Sequence, residues 1–262
     1  MSIIRTFAIA LQFLTRIPIR FKTAPTAVEN GRSLLFYPLV GFLIGLVLVL
    51  FEITIATHLS SLLGSALLLC IWVICSGGLH LDGLADSTDA WAGARGDSQR
   101  ALRIMKDPNC GSFAVIALVL TLLLKFSSLA SPQMATHPWA LILAPILGRT
   151  FVMLQMLSLK YVRENGLGSA MHANLPKKSA IVIILLVGLI LLWVFGQVGL
   201  AAILGAGICF LGLCYLARRT IGGMTGDTAG ANIELIELVV INASVFAKAN
   251  KMIESVSDGL LQ

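Results

Sequence analysis

Long apolar runs separated by short polar connections make up most of the chain. Runs of about the length needed to cross a bilayer begin near Leu34, Ser61, Phe113, Pro138, Ala180 and Leu200. They predict six membrane-spanning helices. The N-terminal stretch IIRTFAIALQFLTRIPIRF is broken up by charge: Arg5 precedes its apolar part, Arg16, Arg20 and Lys22 follow, and no small-residue cleavage site is visible. It predicts a retained interfacial or partly inserted helix rather than a signal peptide. A last apolar helix from about Ile233 carries Glu234 and Glu237 near its start and Lys248 and Lys251 near its end. Burying such carboxylates in lipid costs on the order of a few kcal/mol each, so this helix is expected to pack against the bundle at its cytoplasmic face. The fold class is therefore all-α: a polytopic membrane helix bundle of about six transmembrane helices, with interfacial or packed helices at both ends.

Composition agrees with that pattern. Of 262 residues, 57% are hydrophobic and 12% charged, and the mean hydropathy is +0.91, whereas about a quarter of an average soluble domain is charged. The polar connections are too short to build a second core, so residues 1–262 are expected to form one integral membrane domain with cytoplasmic active-site loops. The net charge of +6 is scattered over short loops, without the basic stripe interleaved with aromatics that nucleic acid requires. No nucleic acid partner is expected. The five cysteines sit mostly inside apolar runs and lack CxxC spacing, which predicts neither a disulfide nor zinc.

The placement of Lys and Arg sets the orientation. Arg5, Arg16, Arg20, Lys22 and Arg32 precede or flank the first run; Arg95, Arg100, Arg103 and Lys106 follow the second; Lys160, Arg163, Lys177 and Lys178 follow the fourth; Arg218 and Arg219 follow the sixth. The alternating loops THLSS, ASPQMATHP and GQVG hold no Lys or Arg. The basic loops are thus predicted to be cytoplasmic.

One cytoplasmic segment is unusual. GGLHLDGLADSTDAWAG, residues 77–93, places Asp82, Asp86 and Asp89 at i, i+4 and i+7, within roughly 60° of one another on a helix. Like charges on one face repel unless a cation stands among them, so the cluster predicts a metal site or strongly shifted carboxylates. Gly77 and Gly78 would let a diphosphate approach closely. Magnesium takes few carboxylates and completes its shell from water and substrate phosphates, and it is the cofactor expected. His80 would point away from the cluster and suits a helix-start polar group, a substrate contact or a proton carrier.

Arg100 and Arg103 lie three apart on one helix face and suit phosphate contact, although an ordinary positive-inside loop would look the same. Arg149 falls near the middle of the fourth run, where a guanidinium faces either the active-site cleft or an ion-pair partner such as Glu52 or an Asp. The segment GGMTGDTAGANIELIE repeats the spacing GG-x-x-x-D of GGLHLD and reaches the same side. Asp227 heads its helix, with Glu234 and Glu237 further along, and both Asp227 and Glu234 join the candidate metal ligands; an acid at a helix start is also an ordinary cap. YVRENGLGSAMH, with Tyr161 and Arg163, is a glycine-rich loop of little specificity. Spacing alone thus reaches metal-dependent phosphoryl chemistry at a cytoplasmic membrane face.

GGLHLDGLADSTDAWAG closely resembles the signature of the adenosylcobinamide-GDP ribazoletransferase, or cobalamin synthase, family. The resemblance extends in order through LQFLTRIPI, YPLVGFLIG, ALRIMKDPNCGSF, LGR and RRTIGGMTGDTAGANIELIE, nearly the whole chain. It implies a magnesium-requiring phosphotransferase of the bacterial inner membrane, its active site facing the cytoplasm, acting in the last assembly step of cobalamin biosynthesis. Adenosylcobinamide-GDP would be the donor, alpha-ribazole or its 5′-phosphate the acceptor, and adenosylcobalamin (or its 5′-phosphate) and GMP the products. Asp82, Asp86, Asp227 and Glu234 would then hold metal. Asp89 or His80 would take the acceptor's proton, and Arg149, Arg100 and Arg103 would stabilise phosphoryl charge. The lipid bilayer is the expected surrounding, and a homo-oligomer is left open. Two rivals compete: a lipid-alcohol phosphotransferase of the CDP-alcohol type, whose D-x-x-D-G-x-x-A-R pattern this chain lacks, and an ion-coupled transporter, which would place its acids at the bilayer midplane between broken helices.

Overall fold

The computed structural model describes residues 2–132, 138–164 and 166–260, with side chains as far as residue 243 except that of Thr57. Most of the ASPQMATHP loop and the side chains of Lys248 and Lys251 lie outside the described residues. The elements are α1 (Ile3–Leu14), α2 (Ala27–Ser33), α3 (Tyr37–Thr54), α4 (Ser61–Ser76), α5 (Leu79–Gly93), α6 (Ser98–Ile104), α7 (Ser112–Leu129), α8 (Ala140–Ser158), α9 (Leu167–Ala173), α10 (Lys177–Ile221) and α11 (Gly226–Leu260). Among the described residues there is no strand, only an isolated parallel bridge between Tyr161 and Met224. The all-α membrane bundle is as expected.

Each predicted apolar run is a helix. α3, α7, α8 and α10 are long and apolar enough to cross a membrane, whereas α4 reaches that length only together with α5, from which it is bent by 86°. α5 therefore runs across the end of α4 rather than continuing it. The 45 residues of α10 hold two of the predicted runs. Gly196 adopts φ 52° and ψ −124° inside it, and a Cβ on Gly199 would stand 2.4 Å from the Leu191 carbonyl oxygen. Eight residues of continuous helix would separate those groups by about 12 Å. The chain thus reverses at Gly196, and α10 is two antiparallel arms joined where the GQVG loop was expected.

Burial sorts the helices into layers. Only 11% of the most apolar window of α10 is buried, against 78% for α8, so α10 presents Trp193, Ile208 and Leu211 outward while α8 runs through the core. The short helix α1 is one-sided, with Ile9, Ala10 and Leu14 buried and Ile3 and Ile4 exposed.

The last helix departs from expectation. Instead of resting on the cytoplasmic face, α11 enters the core against α5, α8 and α10, with Asn232, Ile236, Glu237, Val240 and Ile241 wholly inaccessible. The reason is electrostatic. Lys125 Nζ of α7 lies 2.6 Å from Glu234 Oε2 and 2.7 Å from Glu237 Oε2, and Arg149 of α8 pairs with Glu237. Two carboxylates meet two cations within protein, so the cost of placing them in lipid does not arise. Lys125 also stands 4.8 Å from the centroid of the Trp72 ring on α4, so this cluster ties together four helices.

Candidate active site

The site begins with a turn that only glycine makes cheaply. Gly77 and Gly78 follow α4 with φ of 63° and 73°, the left-handed region in which a Cβ is strained. Their N–H groups donate to the carbonyls of Ile74 and Val73, closing α4, and α5 starts at once in a new direction. α5 then meets α11 with almost nothing between the backbones: a Cβ on Gly83 would stand 2.7 Å from the Asp227 carbonyl oxygen, and one on Gly230 would stand 3.2 Å from the His80 backbone. That contact brings Asp227, in the first turn of α11, beside the aspartate face of α5. Burial, then the carboxylates of Asp227 and Asp82, push Asp86 up to about 6. Asp227 is also raised, chiefly by burial, against the pull of Arg163.

Arg163 is the counter-charge that the sequence did not single out. Its Nη2 lies 2.6 Å from Asp227 Oδ2. The lone bridge places it there: Val162 N–H donates to the Met224 carbonyl and Met224 N–H to the Lys160 carbonyl, each at 2.9 Å. The pairing joins residues 64 apart in the chain, beyond the reach of any local pattern. Among the described residues, no three His, Cys, Asp or Glu side chains converge closely enough to hold a metal on their own. The donor set of Asp82, Asp86 and Asp227 still suits magnesium, a hard cation that takes one or two carboxylates and draws its remaining ligands from water and substrate phosphates.

The other candidates fall elsewhere. Glu234 is apart from the aspartates, held by Lys125. Arg149 is completely buried, paired with Glu237, with its Nη2 3.4 Å from His80 Nδ1; of the two roles open to it, the ion pair is the one formed, with Glu237 rather than Glu52 or an Asp. Asp89 already has partners, since its Oδ2 accepts from Gly111 N–H at 2.6 Å and its Oδ1 from Ala114 N–H at 2.9 Å. These donors belong to the start of α7, whose own N-cap, Gly111, offers no side chain. Asp89 is thus a cap supplied from another helix. Arg100 and Arg103 are exposed on α6, with Arg103 3.9 Å from Asp97.

Two cavities meet at the aspartates. One is polar, lined by Gln12, Thr15, Arg16, Ser76, Gly77 and Gly78, with Arg16 Nη2 donating to the Gly77 carbonyl at 2.9 Å. The second is mostly apolar and runs between α1, α5, α8 and α11. His80 and Asp227 line the second, and Asp82 lines both. A hydroxyl from one cavity and a phosphate from the other can therefore meet at a single carboxylate.

A polytopic helix bundle in which Asp82 lines two cavities and Asp227 one of them has the architecture of a membrane-embedded enzyme. The chain belongs to the cobalamin-5-phosphate synthase family, whose pattern it matches over residues 6–245. It is 51% identical over 235 residues to the adenosylcobinamide-GDP ribazoletransferase of Stutzerimonas stutzeri (strain A1501), covering 89% of this chain and 94% of that one. Proteins of the same name from Pseudomonas fluorescens (strain SBW25) and Acinetobacter baumannii (strain ATCC 17978) are 49% and 47% identical, covering 90% of this chain and 97% and 94% of theirs. No solved structure matches the chain.

Proposed function

We infer that the chain transfers ribazole onto adenosylcobinamide-GDP, the final assembly step of cobalamin, at the cytoplasmic face of a bacterial inner membrane. The observation that carries the mechanism is the place of Asp82 at the junction of the two cavities. The diphosphate lies in the polar cavity, where Arg16 and the Gly77–Gly78 turn replace its water. The 3′-hydroxyl of alpha-ribazole, or of its 5′-phosphate, arrives from the apolar side. Its oxygen attacks the phosphorus that bears the aminopropanol ester, the bond from that phosphorus to the bridging oxygen breaks, GMP leaves, and the hydroxyl proton passes to Asp82.

Of the two proton acceptors that the sequence suggests, Asp89 is committed to the start of α7 and His80 faces Arg149, which favours Asp82. Asp86 and Asp227 are the residues we assign to magnesium, with Asp82 within reach; when bound, the ion neutralises charge on the diphosphate oxygens. Arg163, paired with Asp227, is the guanidinium we assign to charge on the phosphate oxygens during transfer. The experiment is GMP release from adenosylcobinamide-GDP by the purified chain with and without alpha-ribazole. Release that requires the acceptor is expected; GMP formed equally without it would mean hydrolysis, and none at all would remove the transferase function.

A further inference from the structure

The segment between α8 and α9 holds a hydroxyl that the transfer step, as described, leaves idle. Tyr161 pairs with Met224 in the lone parallel bridge, which fixes its backbone beside the head of α11. Its ring lies against His172 of α9, 6.2 Å between centroids. His172 is held in turn by its Nε2, which donates to the Leu159 carbonyl at 3.0 Å. Two glycines locate the hydroxyl end of the ring. A Cβ on Gly168 would overlap Tyr161 Oη, and one on Gly226 would stand 3.7 Å from it. Both glycines line the apolar cavity, as do Tyr161 itself, Asp82 and Asp227. Oη therefore borders that cavity beside Gly226, the residue before Asp227, and Tyr161 is only half-buried there.

A phenol is protonated at neutral pH, and burial holds Tyr161 above the usual phenol range, against Arg163 and the Gly226 backbone N–H. The hydrogen bonds that Asp227 accepts come from Arg163 Nη2 at 2.6 Å and Thr225 Oγ1 at 3.4 Å, not from Tyr161, so the phenolic proton stays available to a ligand. Packing against His172 and Gly168 needs no hydroxyl, and phenylalanine would serve it equally; the oxygen is the part left to explain. We propose that Tyr161 is a catalytic residue of the transfer, its hydroxyl donating to a non-bridging oxygen of the phosphorus under attack. The proposal rests on the ribazole-transfer reading. The reacting phosphorus is delivered to Asp82, which lines this cavity as well as the polar one, and so comes to the side on which Oη is placed. The transition state spreads charge over the equatorial oxygens as the acceptor's oxygen attacks and the bridging bond breaks. A donor fixed beforehand needs no reorganisation to meet that charge. The proton remains on Tyr161 throughout, and that of the attacking hydroxyl still passes to Asp82.

The test uses the purified full chain in lipid nanodiscs, with adenosylcobinamide-GDP as donor, alpha-ribazole as acceptor and GMP release as readout. Tyr161→Phe, which removes one atom and keeps the ring contacts, is expected to lower kcat about 10–100-fold, with KM for both substrates and Tm unchanged. The donor is then replaced by its two phosphorothioate diastereomers, in which sulfur, a weaker acceptor, stands for one non-bridging oxygen of the transferred phosphate. For the diastereomer whose sulfur meets Tyr161, the ratio of oxygen to sulfur rates should fall about tenfold in Tyr161→Phe; for the other it should keep the native value. This ratio does not depend on how much of a variant folds. Gly168→Ala, which displaces the hydroxyl without removing it, should lower kcat by itself and cause no further loss when added to Tyr161→Phe. A native kcat in Tyr161→Phe, or native ratios for both diastereomers, overturns the assignment. A raised KM for alpha-ribazole with kcat unchanged makes Tyr161 a binding contact and overturns it as well. A native chain that releases no GMP with the acceptor present fails the transferase reading instead.

Discussion

The aspartates of α5 share a face, yet they do different work. Asp82 is exposed at the meeting of two cavities, Asp86 is half-buried and raised by that burial and then by its acidic neighbours, and Asp89 is a cap for α7. Spacing showed that the three lie together but could not show that α7 returns to take one of them. The distinction is measurable. Asp89→Ala removes a cap and is expected to cost about 1 kcal/mol of stability, seen as a lowered Tm, with kcat little changed. A large loss of kcat in a variant of near-native Tm would return Asp89 to the chemistry.

Helix existence was legible from the apolar runs, and so was the hairpin inside α10, because a bilayer admits only helices of limited length. The path of α11 was not. Its carboxylates argued against burial while their partners, Lys125 and Arg149, stood in two other helices. A buried pair becomes expensive when one member is lost, because the other charge is left without compensation. Lys125→Met is therefore expected to destabilise the protein by about 3–5 kcal/mol. Adding Glu234→Gln should recover part of that loss, since it removes the carboxylate left over. Thermal unfolding of the two variants in one detergent checks this; additive losses would show that the charges do not act as a unit.

At the scale of the whole molecule, the bundle brings residues distant in sequence to one membrane face. The turn after α4, the loop carrying Arg163 and the head of α11 converge there; the positive-inside pattern would put that face in the cytoplasm. Cys110, exposed in the loop before α7, reports that side directly. A membrane-impermeant maleimide should label it in inverted vesicles and leave it unlabelled in intact spheroplasts; the reverse pattern would place the site outside. Arg163 and Arg16 were the parts of the site least legible in the sequence, because each gains its meaning only from a contact made through folding. The central claim is that donor and acceptor meet at Asp82 with magnesium on the neighbouring aspartates. Its most direct test is single-turnover GMP release with both substrates saturating, comparing the native chain with Asp82→Asn across a magnesium titration. The account predicts a rate that requires magnesium and falls about 10²–10³-fold in the variant. A variant as fast as the native chain, or a native rate indifferent to magnesium, would contradict it.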